Sequence, residues 1–262
     1  MTDDHYELDT ASVPRGDGVR DLTLTDRWNT PLGTPNGGYI LATMLRGLGD
    51  EIGAADPMVA SITYLTSPEP GPAELRTEAV RRGRRVQTGN ASLWSGGRQV
   101  AQLTASFGSR PADGLSHELG APPQLPPPES CADPREHGMP GGGLFDRVDY
   151  RMASVPGWSV GAPSGEPSID LWQRLAGGRA IDLPALAFLC DSFAPPVLEL
   201  GDRLQSMTVQ LTVHLHRVPL PGWIATRLST RHVVQGFHDE DCELWDEDGH
   251  LVAQSRQLAI LL

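Results

Sequence analysis

Cysteine is scarce in this chain of 262 residues, which contains three, and positive charge is scarce as well. The cysteines Cys131, Cys190 and Cys242 are odd in number and far apart, so the sequence predicts neither a disulfide framework nor a bound metal. Lysine and arginine number 21 against 33 aspartate and glutamate residues, for a formal net charge of -12. Because nucleic-acid binding normally requires a basic face, no nucleic-acid partner is expected.

Long apolar runs are also missing. No stretch is long enough to cross a bilayer, and the N-terminal residues lack the basic start and apolar run of a secretory signal. The sequence therefore predicts a cytoplasmic protein without membrane insertion, and it gives no sign of a cofactor. Apolar residues nevertheless make up 39% of the chain, which is enough for a packed core in one large domain or two smaller ones.

Proline and glycine are concentrated in the middle of the chain. Residues 110–143 are rich in Pro, Gly, Ser and Glu, which predicts a linker that is partly extended. We therefore expect an N-terminal unit, residues 1–109, and a C-terminal unit, residues 144–262. Each unit has the same order of elements, a short apolar helix followed by four strands with alternating patterns.

One hairpin is repeated between the two units. Leu93-Trp94 precedes a Gly-Gly turn and then Val100-Ala101-Gln102, whereas Leu244-Trp245 precedes an Asp-Gly turn and then Val252-Ala253-Gln254. Both turns supply the positive φ angles that tight hairpins require. Since the predicted helices also lie at similar distances upstream, the repeat favours a duplication over coincidence.

The two helices have recognisable ends. Asn36 is the predicted N-cap of the first and Asp182 that of the second, which should end before Pro195-Pro196. The strands that follow are predicted at residues 59–66, 74–81, 86–95 and 100–107, and then at 207–216, 223–230, 232–246 and 251–261. An apolar helix wrapped by a curved antiparallel sheet buries both elements, so the predicted fold is α+β with two such units side by side.

Three polar residues of the second unit are candidates for chemistry. Asp191 is a carboxylate in an apolar helix, where burial is expensive unless the group is bonded or used; a solvated stripe near the helix end explains it equally well. Thr208, on the polar face of its strand, and Gln257, among small residues in the last strand, are each ordinary when taken alone. Together they gain weight because the first unit has apolar residues at the matching positions, which are approximately Leu45, approximately Met58, and Ala105.

The order and setting of these residues resemble the acyl-CoA thioesterase II family, whose fold is a double hotdog. The resemblance spans most of the chain and is carried by the Gly37-Gly38 helix start, the strand ending His216-Arg217, the Leu251-Val252-Ala253 strand and Gln257. It implies hydrolysis of acyl-CoA thioesters to a carboxylic acid and CoA, with acyl-CoA as the small-molecule partner. It also implies a homo-oligomer.

In that family an aspartate, a threonine and a glutamine hold the attacking water, and by similarity these are Asp191, Thr208 and Gln257. Such a clamp fits the chemistry, since thioester hydrolysis needs a positioned water and donors for the developing oxyanion rather than a covalent nucleophile. We assign Gly37 and Gly38 to substrate binding, because N–H groups at a helix N-terminus can polarise the thioester carbonyl.

A dense positive patch lies in the first unit of this acidic chain. Arg81, Arg82, Arg84 and Arg85 could contact the phosphates of CoA, although a solvated hairpin turn with charged edges explains them equally well. The chain also departs from the family pattern, which bears on acyl or CoA recognition and on the surroundings of Thr208. The departures are Tyr39 in place of glutamine, Ser67 in place of arginine, and Gln210-Leu211 in place of Asp-His.

Other signals point to different functions. Residues 157–161 match the G-x-S-x-G pattern around Ser159, but the flanking prolines and glycines favour a loop over a strand-turn-helix elbow. His214 and His216 are spaced as a metal pair, without a third ligand at suitable spacing. Two alternatives to the thioesterase remain: a protein that binds acyl groups or acyl-CoA without turnover, and a hotdog dehydratase, whose usual helix histidine is absent.

Overall fold

The fold is that of a computed structural model, which describes residues 5–54, 56–111, 113–139 and 141–262. Its α-helices are α1 (His5–Asp9), α2 (Gly37–Ile52) and α3 (Leu183–Leu189). Its strands, β1 to β13 in chain order, are Val13–Gly16, Val19–Leu24, Pro57–Tyr64, Gly71–Arg82, Val86–Ser95, Arg98–Gly108, Val148–Arg151, Ser168–Leu175, Ser206–Leu215, Ile224–Ser229, Val233–Val234, Phe237–Trp245 and Leu251–Leu261.

All thirteen strands belong to one antiparallel sheet. The order is β1-β2-β4-β5-β6-β3-β9-β13-β12-β10-β8-β7, with the short β11 paired to β12. The six strands up to β3 are repeated in reverse order by the six that begin at β9, and β3 pairs with β9 where the halves meet. This arrangement confirms the predicted α+β architecture, in which each half of the continuous sheet packs around a helix.

Local irregularities repeat with the strands. The register of β3 against β6 skips Met58, and the register of β9 against β13 skips Val209. Each repeated hairpin has its own register shift as well, at Leu93-Trp94 and at Leu244-Trp245. Bulges at matching places are difficult to attribute to chance, and they support the duplication more strongly than the hairpin sequences alone.

Helices α2 and α3 pack against each other and against the inner face of the sheet. In α2 the side chain of Asn36 accepts the Tyr39 N–H at 2.9 Å, and in α3 the side chain of Asp182 accepts the Ala185 N–H at 2.8 Å. Both predicted N-caps are therefore present. Every buried residue of α3 is apolar, which explains why this helix is enclosed between α2 and the strands.

Helix α3, the second of the two predicted helices, is shorter than predicted. It ends at Leu189, and Asp191 lies in the turn that follows instead of on the helix. The hydroxyl of Ser192 donates to Gln173 Oε1 at 2.6 Å, and the Gln173 Nε2 donates to the Leu189 carbonyl at 3.1 Å. Gln173 of β8 thus binds both the last residue of the helix and the turn that follows, and this turn aims the Asp191 carboxyl toward α2.

The eight strands predicted after the two helices are present within three residues of the predicted ends, with residues 232–246 divided between β11 and β12. The strands that precede each helix, which are β1, β2, β7 and β8, were not predicted. Among the described residues, no helix is both long and apolar enough to cross a bilayer.

Candidate active site

Asp191 meets the N-terminus of α2. Its Oδ2 accepts the Gly38 N–H at 2.7 Å, and its backbone carbonyl accepts the Asn36 amide at 2.7 Å. Such an approach requires glycine: a Cβ on Gly38 would lie 2.6 Å from the Phe188 carbonyl oxygen and 3.1 Å from the Asp191 Cβ. The paired glycines therefore let a carboxylate from the second unit reach the first turn of a helix in the first unit.

The surroundings of Asp191 change its acidity. Burial raises the pKa of its carboxyl to about 7, although the hydrogen bonds from Gly38 and Asn36 act in the opposite direction. An ordinary aspartate is fully ionised at neutral pH and is a weak base. A pKa near neutrality places Asp191 where a general base is most effective.

Thr208 lies beside Gln257, and its Oγ1 donates to the Gln257 Oε1 at 2.8 Å. Simple alternation placed Thr208 on the same polar face as Gln210, which is wrong. The bulge at Val209 adds one residue, so that Thr208 pairs with Ala259 and turns to the buried face of β13. Bulges redirect side chains in this way next to active sites.

One cavity brings these groups together. It has a volume of about 510 Å³, and its lining includes Asp191, Thr208 and Gln257 together with Asn36 and Gly37. The remaining lining is mostly apolar and comes from both units; it includes Ile40, Leu144, Phe145, Trp158, Phe193 and Leu198. A mostly apolar cavity with a few converging polar groups is typical of a small-molecule site.

Two residues near this cavity were missed by the sequence reasoning. Glu240 on β12 is 3% exposed and pairs with Gln257 across the sheet. Burial, and secondarily the charge of Asp191, raises the pKa of Glu240 to about 8. Acidic residues stand at four of the nine positions of β12, so no pattern distinguished the buried one. The second residue, Tyr64, lines the cavity from the end of β3.

The predicted substrate-binding residues are two glycines and four arginines, and the structure places these two sets at different sites. Gly37 lines the cavity, whereas the N–H of Gly38 is bound to Asp191 and so is not directed at a substrate carbonyl. Arg81, Arg82, Arg84 and Arg85 lie around the β4–β5 turn, and none of them lines the cavity.

The arginine cluster lies near the other end of α2. Arg82 donates to the carbonyl of Ile52, the last residue of that helix, at 3.2 Å. At about 1.5 Å per residue, the helix places these arginines about 24 Å from its N-terminus and the cavity. A contact between the cluster and the phosphates of CoA stays a prediction.

The competing motifs are placed in other structural settings. Ser159 lies in a 3-10 turn, and its hydroxyl donates to the Pro156 carbonyl at 2.7 Å. His214 and His216 lie at the end of β9 and just beyond it. Across the part of the chain that the structure describes, no three His, Cys, Asp or Glu side chains are grouped so as to hold a metal ion.

Comparison with known proteins adds a family context. Residues 24–108 match the family model of the acyl-CoA thioesterase N-terminal domain, and residues 128–261 match that of the C-terminal domain. A candidate thioesterase II from Thermobifida fusca, known from its crystal structure, is 29% identical with a TM-score of 0.87, covering 98% of this chain and 97% of its own.

Two further relatives are similar over most of their length. The thioesterase-like protein TwmA from Talaromyces wortmannii is 26% identical, covering 87% of this chain and 84% of its own. The acyl-CoA thioesterase II TesB2 from Mycobacterium marinum is 18% identical with a TM-score of 0.76, covering 98% of each chain. The likeness to TesB2 is a likeness of fold alone.

Proposed function

Because the chain belongs to the acyl-CoA thioesterase family, we propose that it hydrolyses acyl-CoA thioesters with a water held by Asp191, Thr208 and Gln257. By family and fold it is a thioesterase of the double-hotdog type. The observation that carries the residue assignment is that these three side chains, from a turn and two different strands, line a single cavity.

The hydrogen bonds give each group a role. Thr208 donates to the Gln257 Oε1, and one N–H of the Gln257 Nε2 is engaged by the Glu240 carboxyl. The other N–H is left to donate to the water or to the developing oxyanion, while the Thr208 oxygen can accept from the water. Asp191 orients the same water and accepts its proton as the oxygen adds to the thioester carbon. The C–S bond then breaks, and the CoA thiolate leaves and takes up that proton.

The acidity of Asp191 suits this step. With a pKa of about 7, about half of the carboxyl groups are ionised at neutral pH, and the ionised form binds a proton far more strongly than an ordinary carboxylate does. A positioned general base of this kind typically accelerates a reaction by about 10²–10⁴-fold.

The rest of the cavity suits an acyl chain. Its volume of about 510 Å³ and its wall of leucine, phenylalanine and tryptophan side chains match a small apolar ligand. We also propose the division into units 1–109 and 144–262, joined by residues 110–143, with the catalytic groups in the second unit. A homo-oligomer and a cytoplasmic location remain expectations from the sequence.

Thiol release from short, medium and long acyl-CoAs tests the proposal. We expect release by the wild type and a loss of about 10²–10³-fold in turnover for Gln257→Ala, which removes a donor to the water or oxyanion. Gln254→Ala is the matched control, because Gln254 lies on the same strand and is absent from the cavity lining. Equal turnover of Gln257→Ala and the wild type would contradict the assignment, and binding without release would indicate a non-catalytic acyl-CoA-binding protein.

A further inference from the structure

Tyr64 presents a buried hydroxyl that is not explained by packing. It is the last residue of β3 and lines the cavity. Its Oη is fully enclosed and has no hydrogen-bond partner among the residues that the structure describes. A buried hydroxyl without a partner is costly, and one that lies at a cavity can recover the missing hydrogen bond from a bound ligand.

The position of this hydroxyl relates it to Asp191. A Cβ placed on Gly37 would lie 2.9 Å from the Tyr64 Oη and 2.7 Å from the Asp191 Oδ2. The two oxygens therefore lie beside the first residue of α2, within about 6 Å of each other. Both residues line the cavity, so a carbonyl group bound there can approach both oxygens.

The strand pairing places Tyr64 close to the other proposed groups. Thr63 pairs with Gln210 across the junction of β3 and β9, so Tyr64 lies opposite the bulged start of β9 that carries Thr208. Burial, and secondarily the charge of Asp191, raises the pKa of the Tyr64 phenol well above its ordinary value. The phenol is therefore a hydrogen-bond donor throughout the physiological pH range.

We propose that Tyr64 is a further catalytic residue, whose hydroxyl donates to the carbonyl oxygen of the bound thioester and to the oxyanion that forms from it. The inference rests on the proposed function. When the water oxygen bonds to the thioester carbon, an electron pair of the C=O bond moves to oxygen and Asp191 takes the proton. The negative charge on that oxygen is then stabilised by the Tyr64 O–H until the C–S bond breaks and the thiolate leaves.

The proposed role of Tyr64 also supplies an oxyanion donor that Gly38 cannot provide. Since the N–H of Gly38 already binds Asp191, it does not donate to the oxyanion. Tyr64 offers a donor on the same side of the cavity that no described protein group occupies. One active site would then use Asp191 from the second unit and a phenol from the first.

The test is Tyr64→Phe, measured with a substrate that the wild type hydrolyses. We expect kcat to fall by about 10²–10³-fold, as for other oxyanion donors, with little change in KM. Tm should stay the same or rise slightly, because the hydroxyl has no hydrogen bond to lose within the described protein.

Tyr39→Phe is the matched control from the same unit. Its Oη donates to the Asp9 carbonyl at 2.8 Å, and Tyr39 does not line the cavity. We therefore expect the reverse pattern, a lower Tm with kcat retained. An S-alkyl-CoA thioether, which lacks the carbonyl oxygen, should bind Tyr64→Phe and the wild type with the same Kd.

The outcomes separate the two proposals. If the wild type is active and kcat of Tyr64→Phe is within about twofold of it, Tyr64 has no catalytic role and the proposed function stands. A large loss of Tm or of thioether binding in Tyr64→Phe would show a structural role and overturn the inference. If the wild type releases no thiol from any acyl-CoA, the proposed function fails and the role of Tyr64 fails with it.

Discussion

The duplication makes the two ends of the α2–α3 helix pair equivalent, but the two ends contain different charged groups. At one end the N-terminus of α2 receives Asp191, whose carboxylate accepts hydrogen bonds from the neutral N–H groups of Gly38 and Asn36 and faces a cavity. At the other end the N-terminus of α3 is capped by Asp182, which forms an ion pair with Arg46 of α2. The Arg46 guanidinium lies 5.2 Å from the centre of the Tyr6 ring.

The difference shows how a duplicated fold can divide its tasks. The end that contains Arg46 and Asp182 joins a helix cap, an ion pair and a cation–π contact, all of which stabilise the fold. The end that contains Asp191 has a buried carboxyl with a pKa of about 7, and burial of that group without an ion pair reduces stability. Local destabilisation concentrated at one of two equivalent positions is a physical sign of function.

Exchanging a carboxylate for an amide at each end tests this comparison most directly. Asp191→Asn should lower kcat by about 10²–10⁴-fold, because it removes the general base. Asp182→Asn should leave kcat unchanged, since asparagine is also a good N-cap, and should lose about 1 kcal/mol of stability with the ion pair. Thiol release and urea unfolding of both variants provide the measurements.

These two variants also have opposite expected effects on stability. Asp191→Asn should raise the free energy of unfolding at pH 8, because it removes a charge from a desolvated site. Full activity in Asp191→Asn, or a large loss of activity in Asp182→Asn, would show that the two ends do not differ in the way we describe.

A second test uses the close approach at Gly38. A Cβ there would lie 2.6 Å from the Phe188 carbonyl oxygen, so Gly38→Ala must displace the turn that carries Asp191. A displacement of about 1 Å at a catalytic group can lower the rate by about 10²-fold. Gly49→Ala is the control, because its Cβ would lie 2.8 Å from the Ala54 carbonyl oxygen near the C-terminal end of α2.

Both glycine variants should be less stable than the wild type in thermal unfolding, but only Gly38→Ala should lose turnover. Equal turnover in the two variants would mean that the position of Asp191 is not set by this contact.

Much of this comparison could be predicted from the sequence. The N-caps Asn36 and Asp182 follow from local hydrogen bonding, and strand alternation located eight strands. The asymmetry of Asp191, Thr208 and Gln257 against apolar residues in the first unit also pointed to one active end. Signals of this kind depend on neighbours within a few residues, which is why they are readable without a structure.

Other features depend on contacts between distant segments. The bulge at Val209, the end of α3 before Asp191 and the burial of Glu240 are decided by partners elsewhere in the chain. β8 is different, because apolar and polar residues alternate along most of Ser168–Leu175, which is the pattern of a half-buried strand. For β8 the signal was present in the sequence. For the bulge, the end of α3 and the burial of Glu240 it was not.

The pH dependence of activity and stability gives a third test of the Asp191 end. Below its pKa of about 7, kcat should fall about tenfold per pH unit as the base is protonated. The folded-state pKa is raised above the unfolded value, so the folded protein binds more protons between about pH 4 and 7. Stability should therefore decrease as pH rises through this window.

Urea unfolding at pH 5 and pH 8 measures the effect. The decrease should be smaller in Asp191→Asn than in the wild type, whereas Asp182→Asn should keep the decrease of the wild type. A kcat that is independent of pH between 5 and 8 would contradict the role of Asp191 as the base.

The smallest effect on turnover is expected for Glu240→Gln, which separates the two buried acids of the second unit. Glu240 has a pKa of about 8, raised by burial and then by the charge of Asp191, so Asp191 ionises first. Replacing Glu240 with a neutral side chain of the same shape should change kcat by less than about threefold. The inflection of kcat near pH 7 should remain, since it belongs to Asp191.

Stability should respond more than turnover to this change. At pH 9 the wild type contains an ionised, desolvated Glu240, so Glu240→Gln should raise the free energy of unfolding by about 1 kcal/mol or more. At pH 5 the difference should vanish, because Glu240 is protonated there. Glu243→Gln on the same strand is the matched control, and it should not stabilise the protein at pH 9, because this side chain is 41% exposed and its charge is solvated. A loss of turnover in Glu240→Gln as large as that in Gln257→Ala would place Glu240 within the water-holding group, because the two side chains are paired across the sheet.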